Sequence, residues 1–260
     1  MSEVIVVTSG KGGVGKTTTT ANLGVGLSLL GKKVVLIDTD IGLRNLDVVL
    51  GQENRIVYDL VDVVRGECDL KRAAIRDKRF EGLFLIPAAQ TTDKDAVSPA
   101  QMKELCQKLK EEYDFVVIDC PAGIEQGFKN AIAGADKAVV VTTPDISAVR
   151  DADRIVGLLE QNGIFDHRVI INKIRPELVK RGQMLSIDEV LNILSIDLLG
   201  VIPDDGDVIA SATKGEPVVC KKKSLAGRGY LNICERLTGK NVQLLKLEKK
   251  RFFGKSSRKK

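Results

Sequence analysis

The chain lacks the residue patterns of a metal cluster, a disulfide framework and a membrane span. Its five cysteines, at positions 68, 106, 120, 220 and 234, form no C-x-x-C pair, and no histidine lies near enough in sequence to complete a zinc site. We expect buried thiols in a reducing compartment, and the missing pairs disfavour an iron–sulfur enzyme. No apolar stretch approaches the roughly 20 residues that cross a bilayer, so any membrane contact is expected to be peripheral.

An excess of basic residues is also missing from most of the chain. The formal net charge is +5, but residues 246–260 carry eight Lys/Arg against one Glu, a local balance of +7 that leaves the remainder at −2. Only the tail therefore invites a nucleic-acid or membrane hypothesis. The apolar run at residues 4–7 has no basic region before it and leads directly into glycines, so we expect no signal peptide.

What the sequence does contain is a regular alternation of short apolar runs and longer helical patterns. Runs rich in β-branched residues, typical of parallel strands buried on both faces, occupy residues 4–7, 34–37, 83–86, 115–118, 138–141, 169–171 and 198–202. Helical patterns occupy residues 16–30, 99–112, 148–161, 187–194 and 225–237, with N-caps expected at Ser98, Ser147 and Ser186. This order predicts an α/β domain with a doubly wound, mostly parallel sheet at residues 1–239, followed by a basic tail at 240–260.

The first apolar run leads into a glycine-rich phosphate-binding loop. Residues 10–17 read GKGGVGKT, which fits G-x-x-x-x-G-K-[ST] between a strand and a helix and predicts a P-loop NTPase. Backbone N–H groups and the helix N-terminus suit phosphate oxygens, the second lysine suits the terminal phosphates, and the threonine suits magnesium. The predicted nucleotide-binding residues of this segment are Lys11, Gly12, Gly13, Val14, Gly15, Lys16, Thr17 and Thr18.

Two further apolar runs end in carboxylates, where sheets of this kind bind their ligands. Asp119 follows residues 115–118 in the form of a Walker B element, and Asp38 and Asp40 follow residues 34–37. A single aspartate at such a position can equally be a turn or helix cap. Beside a phosphate loop, a role around magnesium is the stronger interpretation.

Three segments carry a resemblance to a known family. Lys11, one residue after the first glycine of the loop, matches the signature lysine of the deviant Walker A group of ATPases. Residues 38–47, DTDIGLRNLD, look like switch I of the MinD/ParA family, and residues 119–123, DCPAG, look like its switch II. The likeness continues through residues 149–154 and 200–203 into the basic tail. The chain therefore resembles the MinD/ParA family, in its division-site branch, over nearly its whole length.

The resemblance implies a homodimer that sandwiches two ATP molecules with Mg²⁺. Lys11 of each subunit would reach the nucleotide of the other subunit, as an arginine finger does, so that hydrolysis depends on dimerisation. Outside this motif, Lys11 would simply be an exposed loop lysine. The implied catalytic residues are Lys11, Lys16 and Asp40, the last positioning the attacking water. The implied metal residues are Thr17, Asp38 and Asp119.

Switch and base-contacting residues are implied by the resemblance alone. Asn45 and Gly123 occupy switch positions, and the backbone N–H of Gly123 would sense the γ-phosphate. Asn172, Pro203 and Asp204 match the positions that contact adenine. Without the resemblance, Asn172 would be an ordinary turn residue.

The basic tail contains an imperfect amphipathic pattern. If residues from 242 onward are helical, Val242, Leu245, Phe252 and Phe253 share an arc of roughly 100°, although Lys249 also projects into it. Leu245, Phe252 and Phe253 are the predicted membrane-inserting residues, beside lysines and arginines that an anionic membrane surface attracts. A disordered solubilising tail and a nucleic-acid contact are the alternatives.

The resemblance also implies partners and a place of action. A MinC-type inhibitor and a MinE-type activator would meet the helix predicted at residues 148–161, where Asp151 and Asp153 are the expected contacts, although both also suit the helix dipole. The implied protein is cytoplasmic, peripheral on the inner face of the cell membrane, and regulates septum placement; nucleic acid is not an expected partner. A ParA-type DNA-partition ATPase, with salt-dependent DNA binding, and a flagellar-placement regulator are the alternatives.

Overall fold

The computed structural model describes residues 2–93, 96–245 and 247. Within them the strands are β1 Glu3–Thr8, β2 Val34–Asp38, β3 Ile75–Arg76, β4 Leu83–Ile86, β5 Phe115–Asp119, β6 Lys137–Thr142, β7 His167–Ile174 and β8 Asp197–Pro203. The helices are α1 Lys16–Leu29, α2 Leu46–Val49, α3 Leu60–Val64, α4 Leu70–Ala73, α5 Pro99–Lys110, α6 Gln126–Ile132, α7 Ile146–Gln161, α8 Pro176–Lys180, α9 Ile187–Leu194, α10 Gly206–Ala212 and α11 Leu225–Leu237. Two 3-10 turns cover Glu53–Arg55 and Val218–Cys220.

These strands form one sheet in the order β3-β4-β2-β5-β1-β6-β7-β8. Each pairing is parallel except that of β3 with β4. The central strands β1, β2 and β5 are apolar along their length because both of their faces are covered by helices. The predicted doubly wound, mostly parallel α/β fold is confirmed, with strand β3 as an unpredicted antiparallel edge.

The core consists of two layers, one on each face of the sheet. Alternate residues of β1 divide between them, Val4 and Val6 on one side and Ile5 and Val7 on the other. The first layer holds apolar residues of α5, α6, α7 and α9, and the second holds those of α1 and α11. Helix α1 is therefore packed from its first turn onward, which fixes the loop that precedes it.

Helix starts follow the expected caps at two of three positions. The hydroxyls of Ser98 and Ser186 accept from the backbone N–H three residues later, each in a complete capping box. Ser147 is not a cap: α7 begins at Ile146, and the Asp145 carboxylate accepts from the N–H of residue 148. A carboxylate caps as well as a hydroxyl does, so sequence pattern alone placed this start two residues too late.

After α11 the chain turns back along the body instead of continuing as a helix. Arg236 Nε and Nη2 donate to the carbonyl O of Val242 at 3.0 and 2.5 Å, and Leu245 lies against Gly229. Residues 242–245 are not helical, so the shared arc that a helix would give Val242 and Leu245 does not form within the described residues. Lys249, Phe252 and Phe253 lie outside the described residues, and the boundary at residue 239 stays a prediction. No helix within the described chain is both long and apolar enough to cross a bilayer.

Candidate nucleotide-binding site

The glycine-rich loop connects the end of β1 to the start of α1, and two of its glycines face neighbouring elements at close range. A Cβ on Gly10 would lie 2.2 Å from the carbonyl O of Asp151 on α7. Gly15 has a φ of 102°, and a Cβ there would lie 2.4 Å from Asn172 Nδ2. Any larger side chain at either position displaces the loop or its neighbour, so space requires glycine at both positions and backbone conformation also requires it at Gly15.

Lys16 is held inside this loop. Its Nζ donates to Ser9 Oγ at 3.0 Å, and Ser9 Oγ donates to the carbonyl O of Lys11 at 2.8 Å. Lys16 is only 8% exposed, which keeps an ammonium group close to the loop backbone and the first turn of α1. Thr17 and Thr18 follow it and line the adjoining cleft. The segment thus combines a buried cation, a helix N-terminus and converging backbone groups, as phosphate binding requires.

Two buried aspartates lie beside Lys16. Asp38 and Asp119 are opposite each other at the ends of the paired strands β2 and β5. Burial, followed by the charge of Asp38, raises the pKa of Asp119, although hydroxyl hydrogen bonds from Thr17 and Thr20 oppose the shift. Burial also raises the pKa of Asp38, against the backbone N–H donors of residues 40 and 46. The pKa of each carboxylate is therefore higher than that of an exposed aspartate, because each side chain is buried and lies next to another acidic residue.

This oxygen donor set fits Mg²⁺. The Asp119 Oδ1 accepts from Thr20 Oγ1 at 3.0 Å, and Thr17 also bonds to Asp119, so hydroxyl and carboxylate oxygens meet next to the phosphate loop. No group of three or more His, Cys, Asp or Glu side chains with metal-site geometry occurs among the described residues. One or two carboxylates with a hydroxyl, waters and phosphate oxygens are the usual surroundings of Mg²⁺.

The predicted switch positions follow the two strands that carry these carboxylates. The backbone N of Asp40 donates to Asp38 Oδ1 at 2.9 Å. Asn45 immediately precedes α2 and is exposed, without a side-chain capping bond. Gly123 lies after β5 with a φ of 96°. These positions therefore lie at the same end of the sheet as the phosphate loop.

Lys11 is exposed and contacts the start of α7. Its Nζ donates to Ser147 Oγ at 3.0 Å and lies 3.8 Å from Asp145 Oδ1. On the same helix Asp153 is exposed, whereas Asp151 is half-buried with its carbonyl against the loop at Gly10. The two predicted partner residues thus differ: one is open to solvent, and the other is packed against the phosphate loop.

A cleft of about 750 Å³ adjoins the phosphate loop on the side of β7 and β8. Asn172 is buried, and its Nδ2 donates to the carbonyl O of Val14 at 2.8 Å. Pro203 ends β8, and Asp204 forms an ion pair with Arg175 at 2.5 Å. The three residues predicted to contact adenine therefore line one cleft, and Asn172 also supports the loop itself.

Sequence reasoning missed several residues of this cleft. Lys173 has a φ of 57°, and its Nζ donates to the carbonyl O of Gly13 at 2.8 Å. Arg175 and Met184 also line the cleft, as do α10 residues Val208, Ile209 and Ala212. Lys173 is adjacent to the predicted Asn172 and could have been included on that ground. Helix α10 has only seven residues and carries no motif, so the pattern gave no signal for it.

Comparison with known proteins identifies the family. A family model described as an AAA domain matches residues 2–162. The septum site-determining protein MinD of Bacillus subtilis (strain 168) is 58% identical over an alignment that covers 98% of this chain and 99% of that protein.

The chain belongs to the MinD family of septum site-determining proteins.

Solved structures of MinD proteins agree with this assignment. The Aquifex aeolicus MinC:MinD complex contains a chain with a TM-score of 0.87 and 45% identity, covering 94% of this chain and 98% of its own. The Pyrococcus horikoshii MinD complexed with Mg-ADP gives a TM-score of 0.82 and 31% identity, covering 91% and 96%. The resemblance inferred from residues 10–17, 38–47 and 119–123 is therefore confirmed as MinD membership. The individual site roles stay predictions.

Proposed function

We propose that this chain is an ATPase that regulates septum placement by cycling between an ATP-bound dimer on the membrane and a dissociated state. One observation carries the proposal: the buried Lys16, the hydroxyl of Thr17 and the buried carboxylates of Asp38 and Asp119 meet at a phosphate loop. These groups are what an ATP–Mg²⁺ complex needs, and the MinD relatives supply the cellular process.

Nucleotide binding follows from the loop and the cleft. Backbone N–H groups of residues 10–17 and the start of α1 would bind phosphate oxygens, and Lys16 would leave Ser9 to reach the terminal phosphates. Thr17, Asp38 and Asp119 would hold Mg²⁺, which would shield phosphate charge when bound. The base would lie between Asn172 and the loop at residues 203–204, in the 750 Å³ cleft.

Hydrolysis would depend on a second subunit. Asp40 would position the attacking water, held in place through its own backbone bond to Asp38. Lys11, 45% exposed, would leave Ser147 and reach the nucleotide of the partner, where it would stabilise charge on the transferring phosphoryl group. A cation that is supplied in trans makes dimerisation a condition of turnover.

The partner face and the tail complete the cycle. Helix α7 offers the exposed Asp153 to a MinC-type inhibitor and a MinE-type activator, and the Aquifex aeolicus complex supports MinC as a partner. Asp151 lies against Gly10, so a partner that moves Asp151 would also move the phosphate loop. Phe252 and Phe253 would insert into the inner face of the cell membrane, with the surrounding lysines and arginines attracted to anionic lipid.

Two tails in a dimer bind far more tightly than one, because the second binds at high effective concentration. Sedimentation with anionic liposomes therefore tests the proposal, with ATP or ADP and with DNA as a competitor. We expect pelleting with ATP and little with ADP, together with phosphate release. Failure to pellet with lipid, joined to ATP-dependent and salt-sensitive DNA binding, would support the DNA-partition alternative instead.

A further inference from the structure

Outside the phosphate loop, the guanidinium of Arg79 joins two loops that follow short helices. Arg79 lies between β3 and β4, and its side chain is 37% exposed. Its Nη1 donates to the carbonyl O of Gly215 at 2.8 Å, and its Nη2 donates to the carbonyl O of Leu50. Leu50 follows α2 and Gly215 follows α10, so one side chain holds the ends of two helices that are distant in sequence.

Asp77 fixes the orientation of this guanidinium. Its carboxylate is 4% exposed and accepts from Arg79 Nε at 3.0 Å and from Nη2 at 2.6 Å. The hydrogen bond to Asp77 raises the pKa of Arg79, against the effect of burial. Gln52 Nε2 donates to the same carboxylate at 2.9 Å. A planar fork held at two points presents its remaining N–H groups in fixed directions, which an ammonium group cannot do.

The two loops also touch directly. A Cβ on Gly215 would lie 2.6 Å from the Cα of Gly51, so the backbones meet without a side chain between them. The space between the two loops is too small for a side chain, so a shift of one loop towards the other would displace it. Arg79 therefore closes a junction that is already tight.

Both helices at this junction begin at the nucleotide-binding site. The first residue of α2, Leu46, donates its backbone N–H to Asp38 Oδ2 at 3.2 Å, on the side of the switch and the metal residues. Helix α10 follows Pro203 and Asp204 and lines the cleft for the base. The junction thus connects, at the far ends of two short helices, the two sides between which a nucleotide would lie.

We propose that Arg79 is a positioning residue for ATP, which sets the spacing between the switch side and the base side of the site by holding α2 against α10. The inference rests on the proposed function and adds a residue to it. Arg79 contacts neither of the predicted phosphate or metal groups; it acts through the helices that carry them. Such a residue affects ligand affinity indirectly, because it fixes the positions of the groups that bind the ligand.

The test compares Arg79→Ala and Arg79→Lys with Arg236→Ala. Arg236 is a matched control because it also donates to two backbone carbonyls, of Leu199 at 2.8 Å and of Val242 at 3.0 Å, but at the opposite end of the sheet. Equilibrium titrations with ATP and with ADP, each with Mg²⁺, are made below the melting temperature of every variant. Melting curves without nucleotide report stability separately.

We expect Arg79→Ala to bind ATP about tenfold more weakly than the wild type, the size of an ordinary coupling between linked elements. ADP binding weakens less, because ADP lacks the phosphate nearest the switch. Arg79→Lys keeps a charge beside Asp77 but cannot reproduce the fork, so its ATP affinity stays low. Arg236→Ala lowers the melting temperature while its nucleotide affinities equal those of the wild type.

Wild-type ATP affinity in Arg79→Ala, with a lowered melting temperature alone, would overturn the inference and leave Arg79 a purely structural residue. Full recovery in Arg79→Lys would overturn it too, since the ion pair with Asp77 would then be sufficient. A wild-type protein that binds no ATP would instead refute the proposed function, so the two failures are distinguishable.

Discussion

The buried charges at one end of the sheet differ from the partly exposed ion pairs that line the cleft at the other end. At the carboxyl end, Asp38, Asp119 and Lys16 are buried with hydroxyl and backbone partners, rather than salt bridges, within the described residues. At the amino end, a cleft of about 690 Å³ is lined by charges that pair with one another: Lys137 Nζ lies 2.7 Å from Glu3 Oε1.

This difference indicates which end of the sheet is suited to bind a charged ligand. A partly exposed charge that already forms a salt bridge gains little from a ligand, whereas a buried charge that forms none is stabilised more when a ligand supplies opposite charge. The two clefts are of similar size, so volume does not distinguish them. Within the part of the chain that the structure describes, buried charged side chains that form no salt bridge are what distinguish the carboxyl end, where we propose that the nucleotide binds.

The largest expected effect comes from removing the buried cation of the carboxyl end. Lys16→Ala should lower the rate of phosphate release at least about a hundredfold, because charge on the terminal phosphates then lacks a preorganised partner. The rate is measured with anionic liposomes and saturating ATP. Lys137→Ala, which removes a lysine from the amino end, is the control and should keep the wild-type rate; equal losses in both variants would contradict the comparison.

A second variant sharpens the comparison between the tail and the body. Phe252→Glu should weaken liposome binding about thirtyfold or more, because burial of a phenylalanine contributes about 2 kcal/mol and a dimer presents two tails. ATP binding should stay intact, as measured by titration. Phe165→Glu makes the same chemical change at a body residue that is 74% exposed, between α7 and β7. Liposome binding that survives in Phe252→Glu, or is lost equally in Phe165→Glu, would count against membrane insertion by the tail.

Close packing of the phosphate loop predicts a smaller effect, on stability without nucleotide. Gly10→Ala should lower the free energy of unfolding by about 1–3 kcal/mol, because its Cβ would lie 2.2 Å from the carbonyl O of Asp151. Gly12→Ala is matched within the same loop and meets no atom within 4 Å. Denaturant unfolding measures both, and a Gly10→Ala protein as stable as Gly12→Ala would show that the loop is not packed against α7.

The smallest effect is expected at the paired charges of the amino end. Lys137→Ala should lower the free energy of unfolding by about 0.5–1 kcal/mol, the usual size for a partly exposed pair. The hydrogen bond that Lys137 Nζ donates to Glu3 Oε1 raises the pKa of Lys137 above its ordinary 10.5. The stabilisation is therefore fully present below pH 10.5 and is lost as pH rises through the folded pKa.

Unfolding of wild type and Lys137→Ala at pH 7 and at strongly alkaline pH checks this sign. The difference between them should shrink at the higher pH. A difference that grows there would mean that the lysine is not stabilised in its charged form.

Most of the fold was predictable from the hydrophobic pattern and the phosphate-loop motif, because the interior strands are apolar runs long enough to be recognised in the sequence. Strand β3 has only two residues, which is too short for a recognisable hydrophobic pattern. The start of α7 was misplaced because Asp145 and Ser147 are both acceptable caps, and only the backbone distinguishes them. The non-helical course of residues 242–245 could not be predicted from the sequence, because it depends on tertiary contacts such as that of Leu245 with Gly229.

The same limit applies to the site. The phosphate loop, Asp38 and Asp119 were predictable because a motif fixes their place at strand ends. Three residues of the short helix α10, Val208, Ile209 and Ala212, line the cleft, and no local sequence pattern indicates this. Arg79 lies even further from any motif, since its partners Leu50 and Gly215 come from two other segments.

Calorimetric titration with ATP, with Mg²⁺ and then with a chelator, tests the central claim most directly. The buried carboxylates and Lys16 at the carboxyl end predict one ATP per chain, bound about tenfold or more tightly when Mg²⁺ is present. Asp119→Asn should remove most of that difference, because it removes a predicted metal ligand. Equal affinity with and without Mg²⁺, or no binding at all, would contradict the assignment of this end of the sheet as the ATP–Mg²⁺ site.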